Sequence, residues 1–569
     1  MNVKLFRFTK LEDFSNEAKN QTNPTDTIVF VIEPKKETVD RVMNFYYKLI
    51  TCVKNFAFLF MPEISYEIKN FLKNYQFDIR IFSFSNEAYP IDKDLITLHL
   101  PNCFRELYVE NDTNCLSTMA RVLAKLEMLF GIIKYKFVKG DNSRKVKELL
   151  ENEEQINSIN DKTQSGEIFS CIIMERSCDP IAPFCSQYTY EGYIDEFFGI
   201  HWGINSGHLY VPSSLVPSDR KSAQKSSSTS KKSDMGKFEI SLDNEFYEQS
   251  RCMPVFPLAI NFIRMMKENY DKKAANAKKG KELDVINKNL EEFANAKKKE
   301  NPFILAHFPL ITHIAELRHN DHITQETMKF EQLLLIGENI ENLHEFYVNQ
   351  IAKKADLVTV LRLMCIESLT KGGIRNYTAL KKDIILTYGF QYIFLFNNLE
   401  KAGLLKEEKG KGNPVMNLNY PNIYNKMELL NTEFDYSDCS YLGVGYNYIG
   451  VKMIESAVDG NWKKIEDGLD KIPGYQEFPR SPDEVKNNKK EKNIIFAVFI
   501  GGVTYAEIEG IRFLNKQRKD TKIIIVTTNI IGYKNLIKSF DTGETNATFS
   551  FRNCYKEISE EENKIRGKK

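Results

Sequence analysis

Along the first 140 residues, apolar and polar positions follow two different periods. Apolar, β-rich runs at Ile28–Ile32, Phe56–Phe60 and Phe77–Phe84 flank stretches near Thr38–Val53 and Glu63–Tyr75 whose apolar residues recur every three or four positions. A period of two marks a strand and one near 3.6 a helix. The order strand, helix, strand, helix, strand therefore predicts a parallel sheet with helical crossovers. A further short strand is expected at Asp94–Leu100. Asn114–Gly131 predicts an amphipathic helix that buries Leu116, Met119, Leu123, Leu126 and Phe130. Together these elements make one α/β unit.

A second α/β pattern begins at Glu167–Met174, but the strands suited to pair with it, Asn493–Ile500 and Lys522–Thr528, come only after a long interruption. Between about Leu258 and Leu405 the pattern is almost wholly helical, as in Phe330–Val348 and Leu357–Leu369. The simplest architecture is an α/β domain interrupted by a large helical insertion, its last strands supplied from the carboxyl-terminal side. The expected division is 1–137 for an α/β domain 1, 138–245 for the first part of domain 2, 246–475 for a mainly helical domain 3, and 476–569 for the second part of domain 2. Pro217–Lys237, with KSAQKSSSTSKKSD, has the Ser/Lys composition of a disordered linker, and Ser481–Lys492 that of a charged loop. The linker's basic run has a second reading as a site for acidic lipid headgroups.

At 569 residues the chain has room for several packing units. Its 78 Lys and Arg against 77 Asp and Glu leave a formal charge of +1, so no whole-chain field draws in nucleic acid or an anionic bilayer. Met1–Lys10 lacks the pattern of a secretory signal, which predicts a cytoplasmic protein. The longest nearly apolar runs, Ile494–Val503 and Ile523–Ile531, are about half of the roughly 20 residues a spanning helix needs, so membrane contact is expected to be indirect.

Candidate chemistry is sparse. No phosphate-binding loop, GxSxG elbow or HEXXH string occurs. Gly443, Gly445 and Gly450 miss the dinucleotide spacing. Gly501 and Gly502 follow an apolar strand and precede a helix, where an anion is one reading. The other, which we favour, is a tight turn closed by a capping box of Thr504 and Glu507. The ten cysteines form no CxxC pair, and Cys171, Cys178 and Cys185 read as packing residues. His307, His313, His319 and His322 cluster in sequence without a metal-binding spacing. No cofactor, metal or catalytic residue is expected.

Several strings resemble the SM family, syntaxin-binding proteins of the Unc-eighteen type, and within it the vacuolar protein sorting-associated protein 33 branch. Met174–Ile200, MERSCDPIAPFCSQYTYEGYIDEFFGI, is similar to that branch's strand-end DRxxDxxxP followed by TYEGLIDE, with Glu175 in place of Asp and Tyr193 in place of Leu. Phe499–Leu514, FIGGVTYAEIEGIRFL, resembles FxGGxTxxEIxALR, with Gly510 where alanine is usual. Leu361–Ser368 and Thr387–Leu405 resemble the helical domain's LRLxCLxS and NLEKAGLL strings. Tyr89–Gly131 is similar to a further family pattern, departing from it at Ile96–His99 and at Asn111.

The resemblance implies an arch-shaped three-domain fold, with parallel-sheet domains 1 and 2 (domain 2 split) and a mainly helical domain 3 inserted. It implies a non-enzymatic protein that binds Qa and R SNARE motifs and templates their assembly. Its place would be peripheral on late endosome, lysosome or vacuole membranes, within HOPS or CORVET tethering complexes, docked on a vacuolar protein sorting-associated protein 16-like subunit. An SM protein of another trafficking step and an α/β enzyme with an unrecognised site are the alternatives. The expected SNARE-facing strip is Leu290, Phe293, Phe308, Leu310, Ile314 and Leu317 in the hairpin Ile286–Leu317. The expected tether surface lies in Asp438–Gly450, with Tyr441, Tyr446 and Tyr448 as anchors.

Overall fold

The computed structural model describes residues 27–260, 304–478 and 493–541 apart from short interior stretches, the longest being 157–167, 216–236 and 432–438. The Ser/Lys segment up to 236 and the charged loop 481–492 lie outside the described residues.

Strands β1 (Thr27–Ile32), β2 (Asn55–Phe60) and β3 (Arg80–Ser83) form a parallel sheet in that order. Helices α1 (Lys36–Leu49) and α2 (Tyr66–Leu72) pack on one of its faces, where Phe56, Phe58 and Phe60 meet Val39, Met43 and Ile68. The opposite face leaves Val29, Val31 and Phe82 exposed.

The dominant sheet has seven strands in the order β11-β6-β7-β12-β13-β5-β4. They are β4 (Tyr89–Asp92), β5 (Leu95–Thr97), β6 (Tyr135–Lys139), β7 (Ile168–Glu175), β11 (Gln476–Glu477), β12 (Asn493–Ile500) and β13 (Thr521–Thr527). The inner five run parallel, and β4 and β11 are antiparallel edges. Strand β12 lies between β7 and β13, with Phe496 opposite Cys171 on one side and Ile524 on the other. A central parallel strand is covered on both faces, which is why NIIFAVFI reads as a continuous apolar run.

The short strand expected near Asp94–Leu100 forms, but not in the first sheet. Leu95–Thr97 pairs with Ile525–Thr527, so β4 and β5 extend the large sheet. The expected boundary after residue 137 falls inside β6. Helices α3 (Asn114–Phe130) and α4 (Asp141–Ile156) flank β6. Helix α3 buries Leu116, Met119, Leu123 and Leu126 as expected, while Phe130 stays exposed at its last turn.

Helix α5 (Tyr190–Phe198) precedes a small antiparallel sheet that the sequence pattern did not reveal: β8 (His201–Gly203), β9 (Ser206–Pro212) and β10 (Lys237–Ser241). From Glu245 to Leu469 every described regular element is helical. In order these are α6 (Glu245–Ser250), α7 (Ile304–Asn320), α8 (His322–Ile336), α9 (Leu343–Ala352), α10 (Leu357–Lys371), α11 (Tyr377–Tyr388), α12 (Tyr392–Lys401), α13 (Tyr420–Met427), α14 (Ile449–Asp459) and α15 (Lys463–Leu469). Helix α10 is buried around most of its circumference and forms the centre of this unit. After β12, α16 (Tyr505–Gln517) and α17 (Tyr533–Ser539) complete the fold. One continuous apolar core joins the large sheet to the helices around α10.

Candidate functional site

The segment after β7 carries the most distinctive sequence, and its side chains turn inward. The guanidinium of Arg176 donates to both Glu507 carboxylate oxygens, at 3.0 and 2.7 Å, and to the Gly502 carbonyl at 2.8 Å. Glu507 also accepts from the Thr504 amide at 2.9 Å while Thr504 Oγ1 accepts from the Glu507 amide, closing the expected capping box. Gly501 and Gly502 sit at φ 87° and 106°, and a Cβ on Gly502 would lie 2.6 Å from Ile531. The turn is therefore filled by protein. Glu175 reaches back to accept from the Asp141 amide at 3.0 Å, against a Gly140 whose missing Cβ leaves the room.

Asp179 accepts hydrogen bonds from the Tyr446 hydroxyl at 3.1 Å, the Ile449 amide at 3.0 Å and the Ala182 amide at 3.2 Å. Burial, reinforced by the nearby charge of Glu507 and opposed by Arg176, pushes its carboxyl up to about 6. One aspartate thus ties the end of a sheet strand to the start of α14 in the helical unit.

Helix α5 has the same character. Thr189 caps it and donates to Glu509 at 2.6 Å. The Tyr190 hydroxyl bonds His307 Nδ1 at 2.8 Å, and Asn244 meets the other ring nitrogen at 3.2 Å. Glu191 accepts from Tyr247 at 2.7 Å and from Arg512 at 2.6 Å. Arg512 in turn grips Asp94 at 3.0 Å and Asp92 at 2.8 Å. Arg251 also pairs with Asp92. Glu196 accepts from Tyr533 at 2.7 Å and Arg318 at 2.5 Å. Burial alone would raise the Glu196 carboxyl, but the Arg318 and Lys534 charges and the Tyr533 hydroxyl outweigh it and hold it down at about 2. Arg318 lies over Tyr193 and Phe197, at 4.9 and 5.0 Å from their ring centroids. Arg512, Arg251 and Arg318 each pair with a carboxylate in this cluster, whereas Glu509 is held by the Thr189 hydroxyl and is pushed up by burial and by the nearby charge of Glu191.

The residues expected to face a SNARE do not form one exposed strip. Leu310 and Ile314 are fully buried in a core that α7 shares with α5, β9 and β10, because these positions of α7 face the small sheet. Phe308 and Leu317 are half-buried, and Leu290 and Phe293 lie outside the described residues. The expected tether anchors also need correction. Tyr446 and Tyr448 are buried, with ring centroids 5.2 Å apart, and Gly450 lets α14 close onto Phe499 and Met174. Tyr441 is half-buried against Phe513, ring centroids 6.0 Å apart. What reads as a flat aromatic surface in sequence is mostly a packed joint.

Sequence reasoning also missed the Glu191–Arg512 cluster and a second buried pair, Arg362–Glu331 at 2.7 Å, to which Ser186 binds. The available signal was charge at positions where the helical pattern calls for apolar residues. Among the described residues no group of His, Cys, Asp and Glu is placed to hold a metal ion, and no helix is long and apolar enough to cross a membrane. Cys171, Cys178 and Cys185 are buried, and burial pushes their thiols up.

A family model described as the Sec1 family matches residues 3–539, and the chain belongs to that family. Within it, the chain is 28% identical over 479 residues to the vacuolar protein-sorting-associated protein 33 homolog of Arabidopsis thaliana, covering 79% of this chain and 75% of that one. It is 28% identical to the Rattus norvegicus vacuolar protein sorting-associated protein 33A, covering 89% and 85%. The fold is similar to the crystal structure of the Unc18–syntaxin 1 complex from Monosiga brevicollis, with a TM-score of 0.56 at 13% identity over 92% of this chain and 89% of that one.

Proposed function

We propose that this chain binds SNARE segments and guides their assembly during fusion at endosomal, lysosomal or vacuolar membranes, as a subunit of a HOPS- or CORVET-type tethering complex. The observation that carries this reading is family membership across 3–539 together with relatives named for vacuolar protein sorting along most of their length. The chemistry is recognition: the protein makes and breaks no bond, and its distinctive motifs serve to hold the sheet, the helical insertion and the carboxyl-terminal elements in fixed relation. A rigid frame suits a template, because SNARE segments that order on a pre-aligned surface lose less chain entropy at the assembly step.

The SNARE-facing surface lies on the helical unit. Of the six strip residues, Phe308 and Leu317 are the described ones that keep partial exposure. Tyr441 is the member of the aromatic segment left to contact a vacuolar protein sorting-associated protein 16-like subunit. Membrane attachment is peripheral and comes through these partners.

Titration calorimetry of the purified chain against lysosomal-type Qa and R SNARE motifs, singly and together, tests the proposal. Saturable binding of both to one chain is expected. Failure of either to bind would leave a scaffold that acts only within its tethering complex, and would sink the template reading.

A further inference from the structure

Two acids meet where α3 ends. Glu127, in the last turn of α3, is 1% exposed, and its Oε1 accepts from the Ile133 amide at 3.0 Å. Its backbone carbonyl accepts from the Gly131 amide at 2.7 Å. Side chain and main chain of one residue thus close the turn that leads from α3 into β6. The other carboxyl oxygen, Oε2, is buried and accepts no hydrogen bond from a donor among the described residues. Within hydrogen-bonding reach of this carboxyl stands a second one, Glu154 on α4. Two carboxylates offer acceptors only, so a contact between them requires a proton on one.

The surrounding charges do not remove that need. Lys136 on β6 binds Glu154 at 2.6 Å and supplies one positive charge for the two acids. Cys171 on β7 also faces the pair, and burial first and the Glu127 charge next push its thiol up, so it stays neutral. On α3, Arg121 and Lys125 reach Glu87. On α4, Lys147 pairs with Glu151 and Glu477. On the turn itself, Lys134 lies over Tyr135, 5.2 Å from the ring centroid. Burial raises the Glu127 carboxyl, and the Glu154 charge adds to this against the Ile133 amide and Lys136, bringing it to about 7. The negative end of the α3 dipole acts in the same direction.

We propose that Glu127 and Glu154 share one proton and act as a pH-operated latch on the α3–β6 turn, closed while the proton is bound and opened when it leaves to solvent. An unfolded glutamate loses its proton near 4.3. From there up to about 7 the folded protein keeps a proton that the unfolded chain has released. The latch's contribution is therefore complete below about 4.3 and lost as pH rises through about 7. With both acids ionised, two carboxylates meet between α3 and α4 beside one lysine. The repulsion is relieved when the last turn of α3 opens, so that the Glu127 carboxylate reaches water and the Ile133 amide loses its acceptor. This turn carries Met128, Leu129 and Phe130, which are 51%, 72% and 37% exposed. The latch thus sets whether that apolar tip is presented in one fixed arrangement.

Hydrogen exchange of the full chain at pH 6 and pH 8, read by mass spectrometry and corrected for the pH dependence of intrinsic exchange, tests the latch. Amides of 128–133 should open several-fold more readily at pH 8, with those of the buried strand β12 unmoved. In Glu127→Gln the side-chain amide can donate to Glu154 while its oxygen still accepts from Ile133, so the turn should stay protected at both values. Glu154→Gln, at a half-buried position, removes the facing charge and should also abolish the pH dependence. Equal protection of the unaltered turn at both pH values would overturn the proposal. So would a pH dependence that survives Glu127→Gln, which would place the responsible group elsewhere, or one left unchanged by Glu154→Gln, which would mean that no proton is shared.

Discussion

Asp179 shows how far a single residue's environment departs from what its sequence position suggests. It is fully enclosed and accepts three hydrogen bonds, yet its carboxyl titrates near 6 because burial opposes its charge. In the unfolded chain an aspartate loses its proton near 3.9. Between those values the folded state holds a proton that the unfolded state has released. Asp179 therefore contributes stability that is present below about 4 and lost as pH rises through about 6, on the order of 3 kcal/mol in all. Asp179→Asn should flatten the stability profile across that window. Comparing denaturant midpoints of the two proteins at pH 5 and pH 7 checks this; parallel profiles would show that Asp179 is not the group responsible. Arg176 supports a second expectation. Arg176→Ala leaves Glu507 buried without its partner and should cost roughly 3–5 kcal/mol, whereas the exposed Arg144→Ala should cost under about 1 kcal/mol. Equal melting temperatures would contradict the geometry.

At the scale of elements, the crossing of α14 and α16 explains a departure from the family pattern. Gly510 stands where alanine is usual, and a Cβ there would lie 2.9 Å from Val451 Cγ2. Val451 is β-branched and buried, so it cannot swing away. Gly510→Ala should thus destabilise by about 1–2 kcal/mol, against the usual gain of about 1 kcal/mol for Gly→Ala within a helix. Adding Val451→Ala should recover part of that loss, giving a favourable coupling in a double-mutant cycle measured by thermal melts. Additive losses would mean the two side chains do not meet. Other elements were readable for clear reasons. The capping box at Thr504 follows from residue type and spacing, and the pairing of β7 with β12 follows from two long apolar runs that each need neighbours on both sides. The small sheet β8–β10 was not readable, since its strands are short and its pairing skips the segment 213–236. Nor was the burial of Tyr446 and Tyr448. Aromatics interleaved with glycine fit a flat interface and a close helix–sheet joint equally well, and only the Asp179 hydrogen bond separates the two.

At the scale of the whole molecule, the large sheet is assembled from segments far apart in sequence, with β12 at its centre and β4 and β5 brought in beside β13. The insertion of a helical unit into this domain was legible from the change of period, and the placement of β4 and β5 was not, because strands of four and three residues carry no partner information. Removing 493–541 should abolish cooperative unfolding, since it deletes both neighbours that β7 and β5 need. Circular dichroism melts of the shortened chain would check this, and a sharp native-like transition would refute it. Helix α5 joins the parts: through Glu191 it holds β4 and α16, through Tyr190 the start of α7, and through Glu196 the end of α7 and α17. Its most distinctive sequence is thus devoted to keeping the frame rigid, which supports the proposal that the protein holds partners in register. The most direct test of that claim is the rate of SNARE assembly between Qa- and R-bearing vesicles, followed by lipid mixing with and without the purified chain. Faster assembly, lost when Glu191→Ala loosens the frame, is the result this account predicts. Assembly at the same rate with the chain bound to both SNAREs would contradict it.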